Sequence, residues 1–433
     1  MKGERMIAII GCGASGMMAA ISAARAGKKV TILEHNDKPG RKLAVTGNGK
    51  CNLLNENREP GNYRSQDSRF VESVFAAFSA MDEIAFLREI GIPVRNKRGY
   101  YYPHSETAAS VVAAFAEEME RLRVRVLYGA EVTKVSPLTA DVNGYRIEYT
   151  IAQDSRQMYA ESVIFACGGP AGDHLGAGDF GFRELRRLGL TVSEPHPALV
   201  PLLLSNKNAK TVSGVRLDAE VTIDTAGESN DLPEAGSEKG ISSGLGLPKI
   251  EFGEVVWTEY GISGIPVMQL SRFAEEALSC GKKVLIRLNF LRDMSNEEAL
   301  REVMRRTQEE AFSERDIEHA MDGLVPSKLM YVILLRAGVS PQKPAREITP
   351  DEARRIHKEL TDMTLPVTGT RPFAYAQAAR GGVSLSEINP DTCECVRFPG
   401  LYVTGELLDM DGNCGGYNLQ WAFATGAIAG RNA

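Results

Sequence analysis

Three glycines in the spacing G-x-G-x-x-G follow a short apolar segment at the start of the chain, and they restrict its fold more than any other feature. They are Gly11, Gly13 and Gly16. The preceding residues 6–10 (MIAII) are rich in β-branched side chains, which predicts a buried strand. Small residues over 14–26, stopped by a glycine, predict a helix, and residues 29–33 predict a second strand. Together these elements form a βαβ unit, which places both strands in a parallel sheet.

The glycine turn in this context predicts a dinucleotide site. Gly11 permits the tight turn, Gly13 lets a pyrophosphate approach the backbone, and Gly16 lets helix and strand pack closely. The helix amino terminus offers free N–H groups to the phosphates. Glu34 closes the second strand, where its carboxylate can accept hydrogen bonds from a ribose 2′-hydroxyl and disfavours a 2′-phosphate. The turn alone leaves FAD and NAD as alternatives.

The carboxyl-terminal segment decides between the two cofactors. Residues 400–406 (GLYVTGE) predict a strand that ends on Glu406, and residues 415–420 (GGYNLQ) open a last helix. A carboxylate at a strand tip can hold ribityl hydroxyls, and a helix amino terminus can stabilise negative charge that develops at the flavin N1/O2 edge. NAD requires neither element, so we predict FAD.

Composition indicates a globular protein of two or three domains. The chain has 433 residues, of which 43% are hydrophobic and 24% charged. Its formal net charge of -6 argues against nucleic acid as the main partner, so we expect a small-molecule substrate. Seven scattered cysteines suggest reduced thiols, and no apolar segment predicts a membrane span or signal peptide, so we expect a soluble, cytoplasmic protein. Cys393 and Cys395 lack the second ligand pair of a zinc site, so we predict no metal and expect exposed or strand-edge thiols.

The pattern along the chain indicates an α/β fold in which both ends of the chain build the nucleotide domain. After about residue 194, short alternating segments predict a mainly β module. Within it, residues 225–248 predict a long exposed hairpin loop, and an Arg- and Glu-rich stretch over 295–320 predicts helix. The predicted boundaries are 1–193 and 371–433 for the FAD-binding domain, 194–370 for the inserted substrate-side module, and about 292–340 for a helical subdomain inside that module.

Further motifs accompany the glycine turn. They are residues 40–55 (GRKLAVTGNGKCNLLN), 258–266 (TEYGISGIP) and 405–422 (GELLDMDGNCGGYNLQWA). With them the chain resembles the BaiN/YhiN-type bacterial NAD(P)/FAD-dependent oxidoreductases, the aminoacetone oxidase family of FAD-binding enzymes. The middle motif departs from the family pattern at Glu259 and Ile265.

The resemblance implies a Rossmann-like FAD domain of the two-dinucleotide-binding-domain flavoprotein type, with an inserted β-barrel and a small helical module. It implies that the backbone of Val132 meets the adenine and that Glu406 holds the ribityl chain. Asn418 and Leu419 would lie beside the pyrimidine ring of the flavin. Contacts to the adenosine and pyrophosphate are implied for Ser15, Glu34, His35, Arg41 and Lys42. The complete set of predicted cofactor-binding residues is Gly11, Gly13, Ala14, Ser15, Gly16, Glu34, His35, Arg41, Lys42, Gly47, Asn48, Cys51, Asn52, Val132, Gly168, Gly405, Glu406, Gly415, Gly416, Tyr417, Asn418 and Leu419.

Four residues are candidates for a catalytic role. Cys51 lies in the loop expected to wrap the flavin, and a small buried packing residue is the alternative interpretation. Tyr102 and His104 belong to an aromatic run before a predicted helix. Either can donate a proton in a hydride-plus-proton reaction, and strand packing or an exposed turn explains them equally. Arg380 is a candidate clamp for an anionic substrate group.

We therefore predict an FAD-dependent oxidoreductase. Hydride would pass through flavin N5 between NAD(P)H and a small organic acceptor such as an activated C=C (enone) compound. The nicotinamide is expected to dock transiently at the flavin face. Three alternatives stay open: a flavin-dependent amine oxidase, an RNA-modifying flavoenzyme, which would need a basic channel, and a non-catalytic flavin-binding sensor.

Overall fold

The computed structural model of the protein describes residues 6–65, 67–138, 144–205, 207–225 and 247–433. The chain divides into two compact units, Met1–His196 together with Ala376–Ala433, and Pro197–Tyr375. The loop predicted over residues 225–248 lies almost entirely outside the described residues. Within the described ranges, none of the helices combines the length and apolar character that a bilayer crossing requires.

A five-stranded parallel sheet forms the centre of the first unit. Its first strand, Met6–Ile10, lies between the second strand and a strand from the middle of the chain, as in a βαβ nucleotide fold. All five strands are parallel, and the burial of Met6–Ile10 explains its continuous apolar sequence. In spatial order the strands are Leu401–Val403, Ser162–Phe165, Met6–Ile10, Lys29–Glu34 and Arg125–Tyr128. The predicted Rossmann-like fold is confirmed.

Two helices built from small residues pack closely beside this sheet. Ala14–Arg25 follows the glycine turn, and Tyr417–Asn432 ends the chain. A Cβ atom added at Gly426 would lie 2.4 Å from the Ser15 carbonyl oxygen, and one at Gly430 would lie 2.2 Å from that of Ala19. Only glycine fits where two backbones lie this close together. The two glycines therefore allow the last helix to pack directly against the first.

The rest of the first unit surrounds this framework. Its other helices are Ser68–Ala77, Ala80–Glu89, Ala108–Arg121 and Phe180–Arg187. Its other strands are Leu54–Asn55, Tyr63–Ser65, Val94–Lys97, Tyr100–Pro103, Ala130–Pro137, Tyr145–Ile151, Asp154–Ala160, His196–Ala198, Ala378–Arg380 and Met410–Gly412, of which His196–Ala198 runs past the unit's boundary. Cys393 and Cys395 are buried in its core, which corrects the exposed alternative of the prediction; Cys395 pairs with Ile388 in an isolated β-bridge.

The second unit contains a closed antiparallel barrel, which confirms the predicted inserted barrel. Alternate residues of Arg216–Thr225, among them Val221 and Ile223, are buried, as the period of a strand requires. In order around the barrel the strands are Leu202–Leu204, Gly261–Ser263, Lys249–Thr258, Arg216–Thr225, Val284–Asn289 and Met363–Thr370. The helices of this unit are Ala209–Val212, Ile265–Ser279, Asn296–Gln308, Glu310–Ser313, Ile317–Ala320, Ser327–Arg336 and Pro350–Thr361.

Candidate functional site

A cavity of about 1110 Å³ opens in the first unit, where the first two strands end and the first and last helices begin. The cavity brings together residues from both ends of the chain, as the sequence analysis predicts. Of the predicted cofactor-binding residues, those that line it are Gly11, Gly13, Ala14, Ser15, Glu34, His35, Arg41, Lys42, Gly168, Glu406, Asn418 and Leu419.

The glycine turn has the geometry that a phosphate site needs. Gly11 has φ +99°, and a Cβ there would lie 2.6 Å from Cys167 Cα. A Cβ at Gly16 would lie 2.0 Å from the Gly11 carbonyl oxygen, so this glycine serves close packing. Gly13 differs, because a Cβ there would meet nothing within 4 Å. Gly13 caps the first helix without a side-chain hydrogen bond, which leaves the first-turn N–H groups directed at the cavity.

Glu34 is 5% exposed and is fixed by hydrogen bonds to both oxygens. Its Oε2 accepts from the backbone N–H of Cys12 at 2.6 Å. Its Oε1 accepts from the backbone N–H of Asn36 at 2.8 Å and from the side-chain amide of Asn36 at 2.7 Å. A carboxylate offers about four acceptor positions, so capacity for a ribose hydroxyl remains.

Glu406 is the second carboxylate of the cavity and is held by three donors. Its Oε2 accepts from Lys42 Nζ at 2.8 Å and from the backbone N–H of Gly169 at 3.1 Å. Its Oε1 accepts from the backbone N–H of Ala379 at 2.7 Å. The side chain is therefore immobilised at the end of the strand that delivers it, and an ammonium group lies next to it.

The last helix begins at two glycines in the left-handed region, with φ +115° at Gly415 and +100° at Gly416. A Cβ at Gly416 would lie 2.7 Å from the backbone of Leu54, so the turn packs directly on the neighbouring strand. Asn418 closes the turn, since its side chain accepts from the backbone N–H of Gly412 at 2.8 Å and donates to the Gly412 carbonyl at 2.9 Å. Asn418 and Leu419 thereby line one end of the cavity.

These residues fit FAD. One end of the cavity has a carboxylate for ribose, the middle has an open helix amino terminus for phosphates, and the other end has Glu406 beside a second helix start. A dinucleotide requires such an extended site, with different polar groups for its ribose, its phosphates and its second half. A second cavity of about 1550 Å³ shares Gly11, His35 and Cys167 with the first, and the predicted adenine contact Val132 lines this second cavity.

The remaining predicted cofactor-binding residues lie around the cavity without lining it. They are Gly16, Gly47, Asn48, Cys51, Asn52, Gly405, Gly415, Gly416 and Tyr417. Gly405 supports the strand end, since its N–H donates to Thr425 Oγ1 at 2.9 Å and its carbonyl accepts from Trp421 Nε1 at 3.1 Å. Gly47 and Asn48 adopt left-handed φ values of +56° and +54° inside the turn Leu43–Gly49. Their roles toward FAD stay predictions.

The four catalytic candidates also lie outside the lining of this cavity. The Cys51 thiol is fully buried, and burial raises its pKa to about 12. Tyr102 is half-buried on a strand, and burial, with the neighbouring Tyr100, raises its pKa. His104 is exposed, and Arg380 ends the strand Ala378–Arg380. A catalytic role for these residues stays a prediction.

Several lining residues were missed by the sequence analysis. A second G-x-G-x-x-G spacing over residues 176–181 could have identified two of them, Gly176 and Ala177, which line both cavities. No strand leads directly into this spacing; the element immediately before it is the short 3₁₀ turn Asp173–Leu175. The other missed residues include Cys12, Asn36, Thr46, Cys167, Gly169, Gln377, Met410 and Trp421.

A model of the HI0933-like protein Rossmann domain matches residues 5–432. The chain belongs to this family. A 3-dehydro-bile acid delta(4,6)-reductase from Clostridium scindens is 35% identical over 429 residues, which cover 99% of this chain and 98% of the relative. A ribosomal RNA dihydrouridine synthase from Escherichia coli is 28% identical over 424 residues, which cover 96% of this chain and 95% of the relative.

Among solved structures, 3-ketosteroid delta1-dehydrogenase from Sterolibacterium denitrificans, in complex with 1,4-androstadiene-3,17-dione, is 12% identical, with 98% of this chain and 99% of the other covered and a TM-score of 0.49. The family match and the FAD-binding fold identify the chain as a flavoprotein oxidoreductase.

Proposed function

We propose that this HI0933-like protein is an FAD-dependent reductase that uses NAD(P)H to reduce a C=C bond conjugated to a carbonyl group. The observation that carries the proposal is the chemistry shared by the names of the two relatives. One name describes reduction of double bonds in a 3-keto compound. The other describes formation of dihydrouridine, which is uridine with its C5–C6 bond reduced next to the C4 carbonyl. Both are reductions of an activated C=C bond.

Such a reduction adds a hydride to the carbon β to the carbonyl and a proton to the α carbon, while NAD(P)H becomes NAD(P)⁺. Bound FAD supplies the hydride chemistry at its N5 atom. In this assignment, Glu34 holds the adenosine ribose and the first-turn N–H groups after Gly13 hold the pyrophosphate. Glu406, fixed by Lys42, holds the ribityl chain.

The amino end of the last helix supports the reducing half of the reaction. Negative charge develops at the flavin N1/O2 edge on reduction, and a helix amino terminus stabilises it. Asn418 and Leu419 lie at this end of the cavity. The hydrogen bonds between Asn418 and Gly412 hold the turn in place before any charge develops, which is the preorganisation that electrostatic catalysis requires.

Reduction of a small molecule and reduction of RNA are two candidate functions that share the same reaction, reduction of an activated C=C bond. We favour the small molecule, because the relative with that acceptor is 35% identical and the formal net charge of this chain is -6. The E. coli relative supports the RNA candidate.

An acceptor assay tests the proposal and separates the two candidates. Purified holoenzyme is incubated with NADH or NADPH and either a 4-en-3-one steroid or ribosomal RNA that lacks dihydrouridine, and products are analysed by mass spectrometry. We expect the steroid to gain two hydrogen atoms and the RNA to stay unchanged. Reduction of uridine alone would establish the second candidate, and reduction of neither would contradict both.

A further inference from the structure

A cluster of basic side chains lies beside the strand Val94–Lys97 and has no part in the assignments above. Lys50, Arg95 and Lys97 surround the carboxylate of Glu106. Arg95 and Lys97 both contact Glu106 Oε1, and Lys50 Nζ lies 4.0 Å from Glu106 Oε2. We refer to the three cations as the basic cluster.

The basic cluster carries more positive charge than its carboxylate neutralises. Three cations surround one Glu106, which leaves a local excess of two positive charges. The side chains of Lys50, Arg95 and Lys97 are 58%, 37% and 47% exposed, so a ligand can reach them, whereas Glu106 is 19% exposed. Desolvation, with the charges of Arg95 and Lys50, lowers the pKa of Lys97, in agreement with crowding of like charges.

Two tyrosines share the face of the sheet that carries the basic cluster. Arg95 is paired with Tyr102, and Lys97 with Tyr100, across the antiparallel strands. Directly paired residues point to the same side of a sheet, about 5 Å apart at Cβ. The four side chains therefore form one surface of cations and half-buried aromatic rings.

This surface continues to the start of the last helix. Asn55, the strand partner of Tyr100, donates from its side chain to the Gly415 carbonyl at 3.0 Å. A Cβ added at Gly415 would lie 2.7 Å from Tyr100 Cε1, so the ring of Tyr100 packs on the glycine turn. The basic cluster and the turn that would face the flavin are thus connected through one tyrosine.

We propose that the basic cluster binds an oxyanion, a phosphate or a carboxylate, carried by the molecule whose reacting part lies at the Gly415 turn. Tyr100 and Tyr102 contact the flat part of that molecule between the two points. The guanidinium of Arg95 pairs with Glu106 and orders the site, and the two lysines supply the unneutralised charge. The identity of the reacting molecule rests on the proposed function; binding of the anion does not.

The oxyanion has two sources, the phosphates of the nicotinamide donor and a carboxylate on the acceptor. Four probes distinguish them without turnover: 2′-phospho-ADP-ribose against ADP-ribose, and cholate against its methyl ester. Binding to the holoenzyme is measured by titration calorimetry at low and high salt. A Lys50→Gln/Lys97→Gln double variant is suited to the test, because it leaves the Arg95–Glu106 pair intact and removes only exposed charges.

We expect the double variant to bind a phosphate probe or cholate about tenfold more weakly than the unsubstituted protein, with a smaller dependence on salt. The methyl ester should be unaffected. A Lys134→Gln/Arg156→Gln variant makes the same charge change on the two outer strands of another sheet and should bind as the unsubstituted protein does. If the double variant binds a phosphate probe more weakly, the cluster binds the donor. If it binds cholate more weakly, the cluster binds the acceptor. Equal binding by both proteins, or no binding of any anion, would overturn the inference even if the enzyme reduces C=C bonds.

Discussion

Lys42 Nζ lies 2.8 Å from Glu406 Oε2, and this contact joins residues 364 positions apart in the chain. Lys42 follows the first βαβ segment, and Glu406 lies in the 3₁₀ turn Gly405–Leu407, just after the edge strand Leu401–Val403 of the same sheet; the strand predicted to end on Glu406 thus ends at Val403. The ion pair therefore forms only when both ends of the chain have assembled. It lies on the wall of the cavity that we assign to FAD.

Substitution of Lys42 by Met should weaken FAD binding about tenfold, because a charge-assisted hydrogen bond contributes roughly 1.5–3 kcal/mol and this one is partly exposed. Without the ammonium, only the backbone N–H groups of Gly169 and Ala379 would hold the Glu406 carboxylate that we assign to the ribityl chain. Titration of apo-protein with FAD, followed by fluorescence, measures the change. Lys42→Arg keeps the charge and should bind within about threefold of the unsubstituted protein, since guanidinium and ammonium both pair with carboxylates. Equal affinity of the Met variant would remove Lys42 from the site.

Two glycines of the same motif should respond differently to alanine. Gly13→Ala adds a methyl group to open cavity space, so the unfolding free energy of the apo-protein should change by less than about 0.5 kcal/mol while FAD affinity falls. Gly16→Ala places a methyl group 2.0 Å from the Gly11 carbonyl oxygen and should destabilise the apo-protein by about 1–3 kcal/mol. Urea unfolding and FAD titration of both variants separate the two effects. If the two variants lose the same stability, Gly13 has a packing role instead.

The fold was predictable from sequence where one local pattern determines one element. The strand Met6–Ile10, the glycine turn and the strand Lys29–Glu34 appear as predicted because a buried parallel strand and its turn leave a continuous apolar run and fixed glycines. The helix predicted after the aromatic run of Tyr102 and His104 begins only at Ala108, since Glu106 takes φ +49° and the Ser105 hydroxyl is hydrogen-bonded to that of Ser110.

The site was only partly predictable, because several of its contacts depend on distant residues. Gly169 and Ala379 bind Glu406 through backbone N–H groups, which carry no sequence signal. The expected exposure of Cys393 was wrong for a similar reason, since burial is set by the core around it.

Cys51→Ala should retain the activity of the unsubstituted enzyme. The thiol is fully buried, and a pKa raised to about 12 keeps it protonated, so it is a poor nucleophile at neutral pH. We expect kcat/KM with NAD(P)H and an enone to change less than about threefold, with a loss of unfolding free energy of about 1 kcal/mol or less for one buried sulfur atom. A fall of a hundredfold or more in kcat/KM with normal FAD content would make Cys51 catalytic.

Glu83 should make stability depend on pH. Its side chain is completely buried, neither oxygen accepts a hydrogen bond from the described residues, and desolvation raises its pKa well above the usual value. A carboxyl group whose pKa is higher in the folded than in the unfolded protein stabilises the fold fully at pH values below its unfolded-state pKa. This contribution to stability is lost as the pH rises toward the folded-state pKa. Relative to Glu83→Gln, the unsubstituted protein should lose about 1.4 kcal/mol per pH unit above about pH 4.5, until the folded pKa is reached.

Chemical unfolding of both proteins between pH 5 and pH 8 measures this difference. Glu117→Gln changes an exposed carboxyl on another helix and serves as the control. Parallel pH profiles for the unsubstituted protein and the Glu83→Gln variant would show that Glu83 is ionised in the folded protein.

The reaction of the reduced flavin with an acceptor tests the proposed function most directly. Holoenzyme is reduced without oxygen by NADH or NADPH and mixed rapidly with a 4-en-3-one steroid, while flavin absorbance is recorded. We predict that the absorbance of oxidised flavin returns in one turnover and that one C=C bond is reduced for each flavin. A flavin that stays reduced with every conjugated enone, and is reoxidised only when oxygen is admitted, would contradict the assignment as a C=C reductase.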